Sequence, residues 1–261
     1  MRRSGRRLAS AFVAGVFCAF IYPAFSLSSF ASTRDIRVIG VKVVVPEEYK
    51  MTMIWKLEMN KMLRDIGRGF KDRFGLAFKM RETGFWKPDS NQKSLFNRLR
   101  DLIREVPRGD CHLVIGILPT GIFQGPPFGA ADYLRSYVLI TDQASASTLS
   151  NVLEHELCHV FGAIDLEEKG SIMSFNHRGA RYDDFTSRVI ALNRNRSFEA
   201  GKFPLSRDVK DRVMALYKER LAQEGTNLGA WVSERRELQV VLSHIYMENS
   251  KQVVLWNRLL R

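Results

Sequence analysis

The sequence contains little cysteine: only three of its 261 residues are Cys. One of them, Cys18, belongs to an N-terminal apolar run, which leaves Cys111 and Cys158 in the rest of the chain. Two cysteines exclude a disulfide-rich scaffold, because such scaffolds need several cross-links in a short chain. A single Cys111–Cys158 bond stays open, as does a pair of buried thiols, since a cysteine inside an apolar helix packs like a small hydrophobic residue.

Acidic residues are outnumbered: 28 Asp and Glu stand against 40 Lys and Arg, and the formal net charge is +12. The basic residues are spread along the chain without a groove-like cluster, and we find no recognisable nucleic-acid motif, so no nucleic-acid partner is expected. A solvated cationic surface is the simplest interpretation; attraction to an anionic membrane or an acidic substrate is the alternative. Hydrophobic residues make up 45% of the chain, which excludes a disordered protein and is sufficient for one domain with a substantial core.

The first 31 residues contain no acidic residue and have the pattern of a signal peptide. Four arginines precede an apolar run from Leu8 to Phe25, and small residues follow it. Loss of those arginines by cleavage would lower the formal charge from +12 to +8. We therefore expect an exported protein, either periplasmic or secreted. An uncleaved segment that anchors the protein to the membrane is the alternative, because the run is almost long enough to span a bilayer.

Residues 32–223 alternate between strand and helix patterns, which is typical of an α/β domain. The predicted strands are Asp35–Val45, Leu76–Trp86, Cys111–Leu118 and Ser136–Thr141. The predicted helices are Glu47–Phe74, Ser90–Glu105, Ser147–Ala163, Asp184–Asn193 and Ser206–Gln223. Residues 224–261 are expected to form a C-terminal helical extension, packed on the domain or presented to a partner.

Two neighbouring segments bear on substrate binding. Pro119–Ala131 is crowded with Gly and Pro, which argues against a regular element there. Ser136–Thr141 is short, β-branched and followed by polar residues, as an edge strand would be. An edge strand beside an active site can pair with an extended peptide, so the sequence predicts that a peptide substrate would pair with this segment.

The most informative stretch is 155–165, which reads His-Glu-Leu-Cys-His-Val-Phe-Gly-Ala-Ile-Asp. Four residues of α-helix turn through about 400°, so His155 and His159 lie on one helix face and can share one metal ion. Glu156 lies one position further around the helix, where a general base can accept a proton from a water molecule that the metal activates. The spacing therefore predicts a zinc site with its own base.

Two histidines leave a zinc ion short of a third protein ligand. Gly162 can adopt a positive φ and turn the chain off the helix, so that Asp165 swings back beneath the metal. Three protein ligands make an open catalytic site rather than a closed structural one. Glu167 and Glu168 are alternative third ligands, since they lie just beyond the expected position.

These residues resemble the metzincin clan of zinc endopeptidases, whose motif is His-Glu-x-x-His-x-x-Gly-x-x-His or Asp, followed by a turn that carries methionine. The turn here would be 171–174, Ser-Ile-Met-Ser. The resemblance is specific only from His155 to Ser174. It implies a twisted mixed sheet, mainly parallel with an antiparallel edge strand and backed by helices, and it places Met173 beneath the zinc as an apolar floor. Asp165 departs from the commoner histidine, as in a minority of members.

The sequence thus predicts an exported zinc metalloendopeptidase with one catalytic Zn²⁺ and a protein or peptide substrate. His177 or Tyr182 are further candidates for stabilising an oxyanion, although a surface histidine and a packed tyrosine are commoner roles; His112 and His244 are expected to be structural. One alternative is an envelope-associated binding or scaffold protein with a vestigial or structural zinc site. Another is a zinc hydrolase that acts on a non-protein amide.

Overall fold

Five β-strands form one sheet: β1 (Arg37–Pro46), β2 (Leu76–Trp86), β3 (Leu113–Leu118), β4 (Gly129–Ala131) and β5 (Tyr137–Thr141). In this computed structural model their order across the sheet is β2–β1–β3–β5–β4. Four strands run parallel and β4 pairs antiparallel with β5. The structure describes residues 35–47, 54–89, 91–92, 94–119, 128–142, 145–174, 179–199 and 204–222.

Five helices accompany the sheet in the described part of the chain: α1 (Ile54–Phe74), α2 (Leu95–Glu105), α3 (Ala146–Val160), α4 (Asp184–Asn193) and α5 (Arg207–Ala222). This is the predicted α/β class, with a mainly parallel sheet and an antiparallel edge strand. The predicted bounds of β2 and α4 are correct at both ends, and the other predicted elements differ by one to seven residues at one or both ends. The predicted signal segment 1–31 and extension 224–261 lie outside the described residues.

The central strands are buried because the sheet is covered on both faces. In β3 all six residues are buried, and β1 is buried over most of its length. Such strands read as continuous apolar runs, as parallel strands between helical layers do. Helix α2 packs on one face through Leu95, Leu99 and Leu102. Helices α1, α3, α4 and α5 contribute to the larger core on the other face.

The predicted edge strand is wrong in one respect. Strand β5, which corresponds to predicted Ser136–Thr141, is paired on both sides, with β3 and with β4. On this side of the described sheet the edge strand is β4, which consists of the last three residues of Pro119–Ala131, so the prediction that this segment contains no regular element is wrong there. Its Gly-Ala-Ala sequence has no strand signal of its own; pairing of Gly129 with Ile140 and of Ala131 with Val138 makes it a strand. Tertiary pairing here overrides local propensity.

Three further observations concern the described residues. Cys111 and Cys158 are both buried thiols and do not form a disulfide. No helix among the described residues is both long enough and apolar enough to cross a membrane. The described residues all belong to one compact unit that begins at Asp35.

Phe70 is the centre of the packing between α1 and the end of α3. Its ring is fully buried, and it contacts the rings of Phe74, Phe78, Phe161 and Tyr182 with centroid distances of 5.1 to 6.2 Å. We predict that Phe70→Ala lowers the free energy of unfolding by about 3–5 kcal/mol, because it removes a buried ring and leaves a cavity. Urea unfolding would measure this loss.

Leu57→Ala is the matched control, because Leu57 lies on the same helix and is 72% exposed. Its replacement should change the free energy of unfolding by no more than about 0.5 kcal/mol. Equal losses for the two variants would contradict the packing described here.

Candidate metal centre

Helix α3 carries the first three site residues. It begins at a serine cap, in which the Ser145 hydroxyl accepts a hydrogen bond of 3.1 Å from the Thr148 backbone N–H. Its C-terminal half carries His155, which is 1% exposed, and Glu156, which is 2% exposed. The helix therefore delivers an imidazole and a carboxylate into the interior, where neither is screened by bulk water.

Backbone carbonyls fix the orientation of both imidazoles. His155 Nδ1 lies 2.8 Å from the Ile172 carbonyl oxygen, and His159 Nδ1 lies 2.8 Å from the Ala163 carbonyl oxygen. A carbonyl oxygen only accepts, so each Nδ1 carries the hydrogen and donates it. In the neutral ring this places the lone pair on Nε2, which is the tautomer that a metal ligand needs. The two Nε2 atoms lie 3.1 Å apart.

The chain leaves α3 through a Schellman motif at Gly162. The Gly162 N–H donates to the His159 carbonyl at 2.9 Å, and the Ala163 N–H donates to the Cys158 carbonyl at 3.0 Å, which is the motif's hydrogen-bond pair. Gly162 has a φ of +90°, as predicted. A Cβ there would lie 2.5 Å from Asn193 Nδ2 and 3.0 Å from Leu134 Cδ2, so both backbone conformation and space require glycine.

Side chains from other elements hold this turn in place. Asn193 at the end of α4 donates to the Phe161 carbonyl at 2.8 Å. Tyr217 on α5 donates to the Gly162 carbonyl, and Tyr133, in the connection between β4 and β5, donates to the same oxygen at 2.5 Å. The position of the residues after the turn is therefore fixed from three directions.

Asp165 returns to the two histidines, as predicted. Its Oδ1 lies 3.0 Å from His155 Nε2 and 3.5 Å from His159 Nε2. Within the described residues, His155, His159 and Asp165 form the one group of three potential ligands whose ligand atoms all lie within 4.8 Å of one another. Asp165 Oδ1 is buried and accepts no hydrogen bond.

The geometry of these three atoms suits a zinc ion. Tetrahedral zinc with N and O ligands at about 2.0–2.2 Å separates its ligand atoms by about 3.3–3.6 Å. The measured separations of 3.0, 3.1 and 3.5 Å lie within that range or slightly below it. Two nitrogen lone pairs and a carboxylate oxygen that converge without a hydrogen between them repel one another, and a cation at their centre removes that repulsion.

The electrostatics of Asp165 also favour positive charge. Burial by itself raises the pKa of Asp165, but the adjacent His155 and His159 side chains lower it and outweigh burial. Together they hold the pKa well below its ordinary value. The carboxyl group thus stays ionised at neutral pH, which is the state that binds a metal.

A tight turn forms at 171–174, where the sequence predicts the methionine-bearing turn. Ser174 N–H donates to the Ser171 carbonyl at 3.0 Å, which makes 171–174 a tight turn, and Met173 is fully buried. Ser171 Oγ donates to Asp183 Oδ2 at 2.6 Å, and Asp183 Oδ1 caps α4 by accepting from the Thr186 N–H. This turn also supplies the Ile172 carbonyl that orients His155, so it positions a ligand through its backbone.

Glu156 lies against the edge strand β4. A Cβ built on Gly129 would lie 2.5 Å from Glu156 Oε1 and 2.8 Å from its Cδ, so the carboxylate occupies the space that a side chain would need. Burial raises the pKa of Glu156, as does the charge of Asp165, while His155 and His159 lower it; the net direction is upward. The base candidate is therefore confined next to the three potential ligands.

The other described candidates, Glu168, Tyr182 and His112, are not part of the group of three potential ligands. Glu168 forms an exposed ion pair of 2.6 Å with Arg181. Tyr182 donates to Glu154 Oε1 at 2.5 Å and packs in the core, so it is a packed tyrosine. His112 accepts from the Gly40 N–H at 2.9 Å, as expected of a structural histidine. His177 and His244 lie outside the described residues.

The chain was compared with known proteins. No protein-family model matches it, and neither does any curated protein. Similar solved structures include archaemetzincin from Methanopyrus kandleri, with 15% identity, a TM-score of 0.41 and coverage of 71% of this chain and 98% of that one. Metalloproteinase-II from Bacteroides fragilis has 10% identity and a TM-score of 0.42, with 60% of this chain and 53% of that one covered.

A chaperone–substrate complex is also similar, with 15% identity, a TM-score of 0.44 and 61% of this chain covered. The matched part spans only 35% of the length of the chain in that complex. All three TM-scores are below 0.5, so these likenesses do not identify a function. The function proposed below depends on the residues of this chain.

We predict that Asp165→Ala weakens zinc binding by at least about 100-fold. Loss of a group that only orients a metal ligand typically costs about 10–100-fold in affinity, and loss of a ligand itself should cost more. Competition with a calibrated chelator would measure the dissociation constant. Glu168→Ala is the control and should bind zinc like the wild type; the opposite pattern would make Glu168 the third ligand.

A second prediction concerns Gly129→Ala. The new methyl group must displace the Glu156 carboxylate, and a displacement of about 1 Å from the reactive position can cost on the order of 100-fold in rate. Hydrolytic activity should therefore fall about 10–100-fold while the metal content is unchanged. In the control Gly84→Ala, the added Cβ would lie 3.4 Å from Val44 Cγ1, so this variant should keep a hydrolytic activity close to wild type.

Proposed function

We propose that this protein is an exported zinc metalloendopeptidase. The observation that carries the proposal is the buried Glu156 carboxylate beside a convergent His155, His159 and Asp165 group. A structural metal site has no use for an additional buried carboxylate, and burying one is costly. The presence of Glu156 therefore favours a catalytic site over a scaffold protein with a vestigial metal site.

The residues of the proposed site have separate roles. A zinc ion held by His155, His159 and Asp165 would polarise a carbonyl oxygen and acidify a water molecule. Three protein ligands of tetrahedral zinc leave one position for water or substrate, which distinguishes a catalytic from a structural site. The Ile172 and Ala163 carbonyls hold the two imidazoles in the required tautomer.

Glu156 is the proposed general base and then the general acid. It takes a proton from the water that attacks the scissile carbonyl carbon, and it passes that proton to the leaving amine as the C–N bond breaks. The same proton is moved twice, so no other donor is needed. Confinement between α3 and Gly129 limits the rotamers of the carboxylate, which keeps it within reach of the reacting atoms.

The edge strand suggests how a peptide would bind. Among the described strands β4 pairs only with β5, so its outer edge can pair with an extended peptide, and Gly129 on this strand lies next to Glu156. The small side chains of Gly129, Ala130 and Ala131 allow close approach of another backbone. We therefore assign substrate pairing to β4 in place of the predicted Ser136–Thr141 segment.

We predict that Glu156→Gln loses at least about 100-fold in peptide cleavage while it retains zinc. General acid–base catalysis typically contributes about 10²–10⁴-fold, and the amide cannot accept the proton. The measurement combines metal content with the rate of cleavage of a mixed peptide library. The matched control is Glu168→Gln, an exposed isosteric change that should cleave like the wild type.

Equal cleavage by wild type and Glu156→Gln would contradict the proposal. Zinc binding by both proteins without cleavage of any peptide would also contradict it, and a panel of non-peptide amides would then test for a different hydrolase. These two results separate failure of the base from failure of the substrate class.

A further inference from the structure

A second charged feature lies apart from the metal centre. Arg37 at the start of β1, Arg108 before β3 and Arg196 after α4 line a cavity of about 470 Å³, together with His112 and Phe198. We call it the arginine cavity. It shares no lining residue with the group formed by His155, His159 and Asp165.

These arginines use backbone carbonyls as their hydrogen-bond partners. Arg37 donates to the Arg194 carbonyl at 2.6 Å and to the Arg196 carbonyl at 2.8 Å. Arg108 donates to the Cys111 carbonyl at 3.2 Å, and Arg196 donates to the Leu134 carbonyl. Among the described residues, no carboxylate forms an ion pair with any of the three. A carbonyl satisfies a donor but does not neutralise the positive charge.

The unneutralised charge is most unfavourable at Arg196, because this residue is only 3% exposed. Its guanidinium carbon lies 4.1 Å from the centre of the Phe198 ring, and its Nε and Nη1 atoms are buried without a hydrogen-bond partner. Desolvation, and then the charges of Arg37, Arg135 and Arg108 against that of Asp132, lower the pKa of Arg196 to about 9. Buried charges in proteins are normally paired, so this region has more positive charge than it neutralises.

We propose that the arginine cavity binds an oxyanion of the phosphate type. Arg37 and Arg108 are half-buried and provide planar donors that match such a group, while the buried Arg196 adds a third positive charge to the lining. The acidic residues that line the cavity, Asp110 and Glu199, are exposed. The volume of about 470 Å³ exceeds that of a bare phosphate and leaves room for an attached group, from either a soluble phosphate ester or a lipid headgroup.

The test is calorimetric titration of the full chain with inorganic phosphate, at an ionic strength held constant with chloride. The wild type should bind one phosphate saturably. Arg108→Met should raise the dissociation constant at least about tenfold, because a hydrogen bond to a charged group is worth about that factor or more. Arg188→Met is the control, since Arg188 is exposed on α4 and pairs with Asp184 and Glu219; its dissociation constant should equal that of the wild type.

A second variant adds the missing negative charge without removing a hydrogen bond of the arginines. Asn195 lines the same cavity and is exposed, so Asn195→Asp preserves size and places a carboxylate beside the guanidinium groups. This variant should bind phosphate at least about tenfold more weakly and should show a higher Tm than the wild type in phosphate-free buffer. It keeps the test valid if Arg108→Met does not fold.

Vesicle sedimentation distinguishes the two sources of phosphate. Binding to phosphatidylcholine vesicles that contain a phosphomonoester lipid, lost in Asn195→Asp, would identify a lipid headgroup; phosphate binding without vesicle binding would identify a soluble ligand. Absence of saturable phosphate binding by the wild type would overturn the proposal, as would equal binding by wild type and Asn195→Asp. None of these readouts depends on peptide cleavage or on zinc.

Discussion

The reversal of the chain at Gly162 is the constraint on which the site depends. Helix α3 can place His155 and His159 on one face, but a helix that continued would carry the next carboxylate away from them. The Schellman motif ends the helix at Gly162, whose φ is +90°. Hydrogen bonds from Asn193, Tyr133 and Tyr217 fix the direction in which the chain leaves the helix. Asp165 reaches the two imidazoles because of that fixed exit.

Other elements of the fold hold strand β4 and the turn at 171–174 against helix α3. The sheet places β4 so close to α3 that only glycine fits opposite Glu156. The turn at 171–174 contributes a carbonyl to His155, and Asp183 joins that turn to α4. Helix α3 with His155, Glu156 and His159, the segment with Asp165, and strand β4 therefore pack around one core, and a change in that core should affect all three segments together.

The features of the fold and of the site that depend on local sequence patterns could be predicted from the sequence. Helical spacing located His155 and His159, glycine predicted the turn at 162, and apolar runs located the buried strands β1 and β3. Strand β4 could not be predicted, because Gly129, Ala130 and Ala131 have little strand propensity and become a strand only by pairing with β5. The supporting roles of Asn193, Tyr217 and Asp183 also depend on contacts far apart in sequence, which no local pattern encodes.

X-ray absorption at the zinc edge of the zinc-loaded protein would measure directly whether two imidazoles and one carboxylate hold the metal. We predict a shell of two imidazole nitrogens at about 2.0–2.1 Å and oxygen at about 2.0–2.2 Å, without sulfur. Asp165→Ala should lose the bound zinc or show a changed oxygen shell. A sulfur ligand at about 2.3 Å, from Cys111 or Cys158, or a shell without imidazole, would mean that other residues hold the metal.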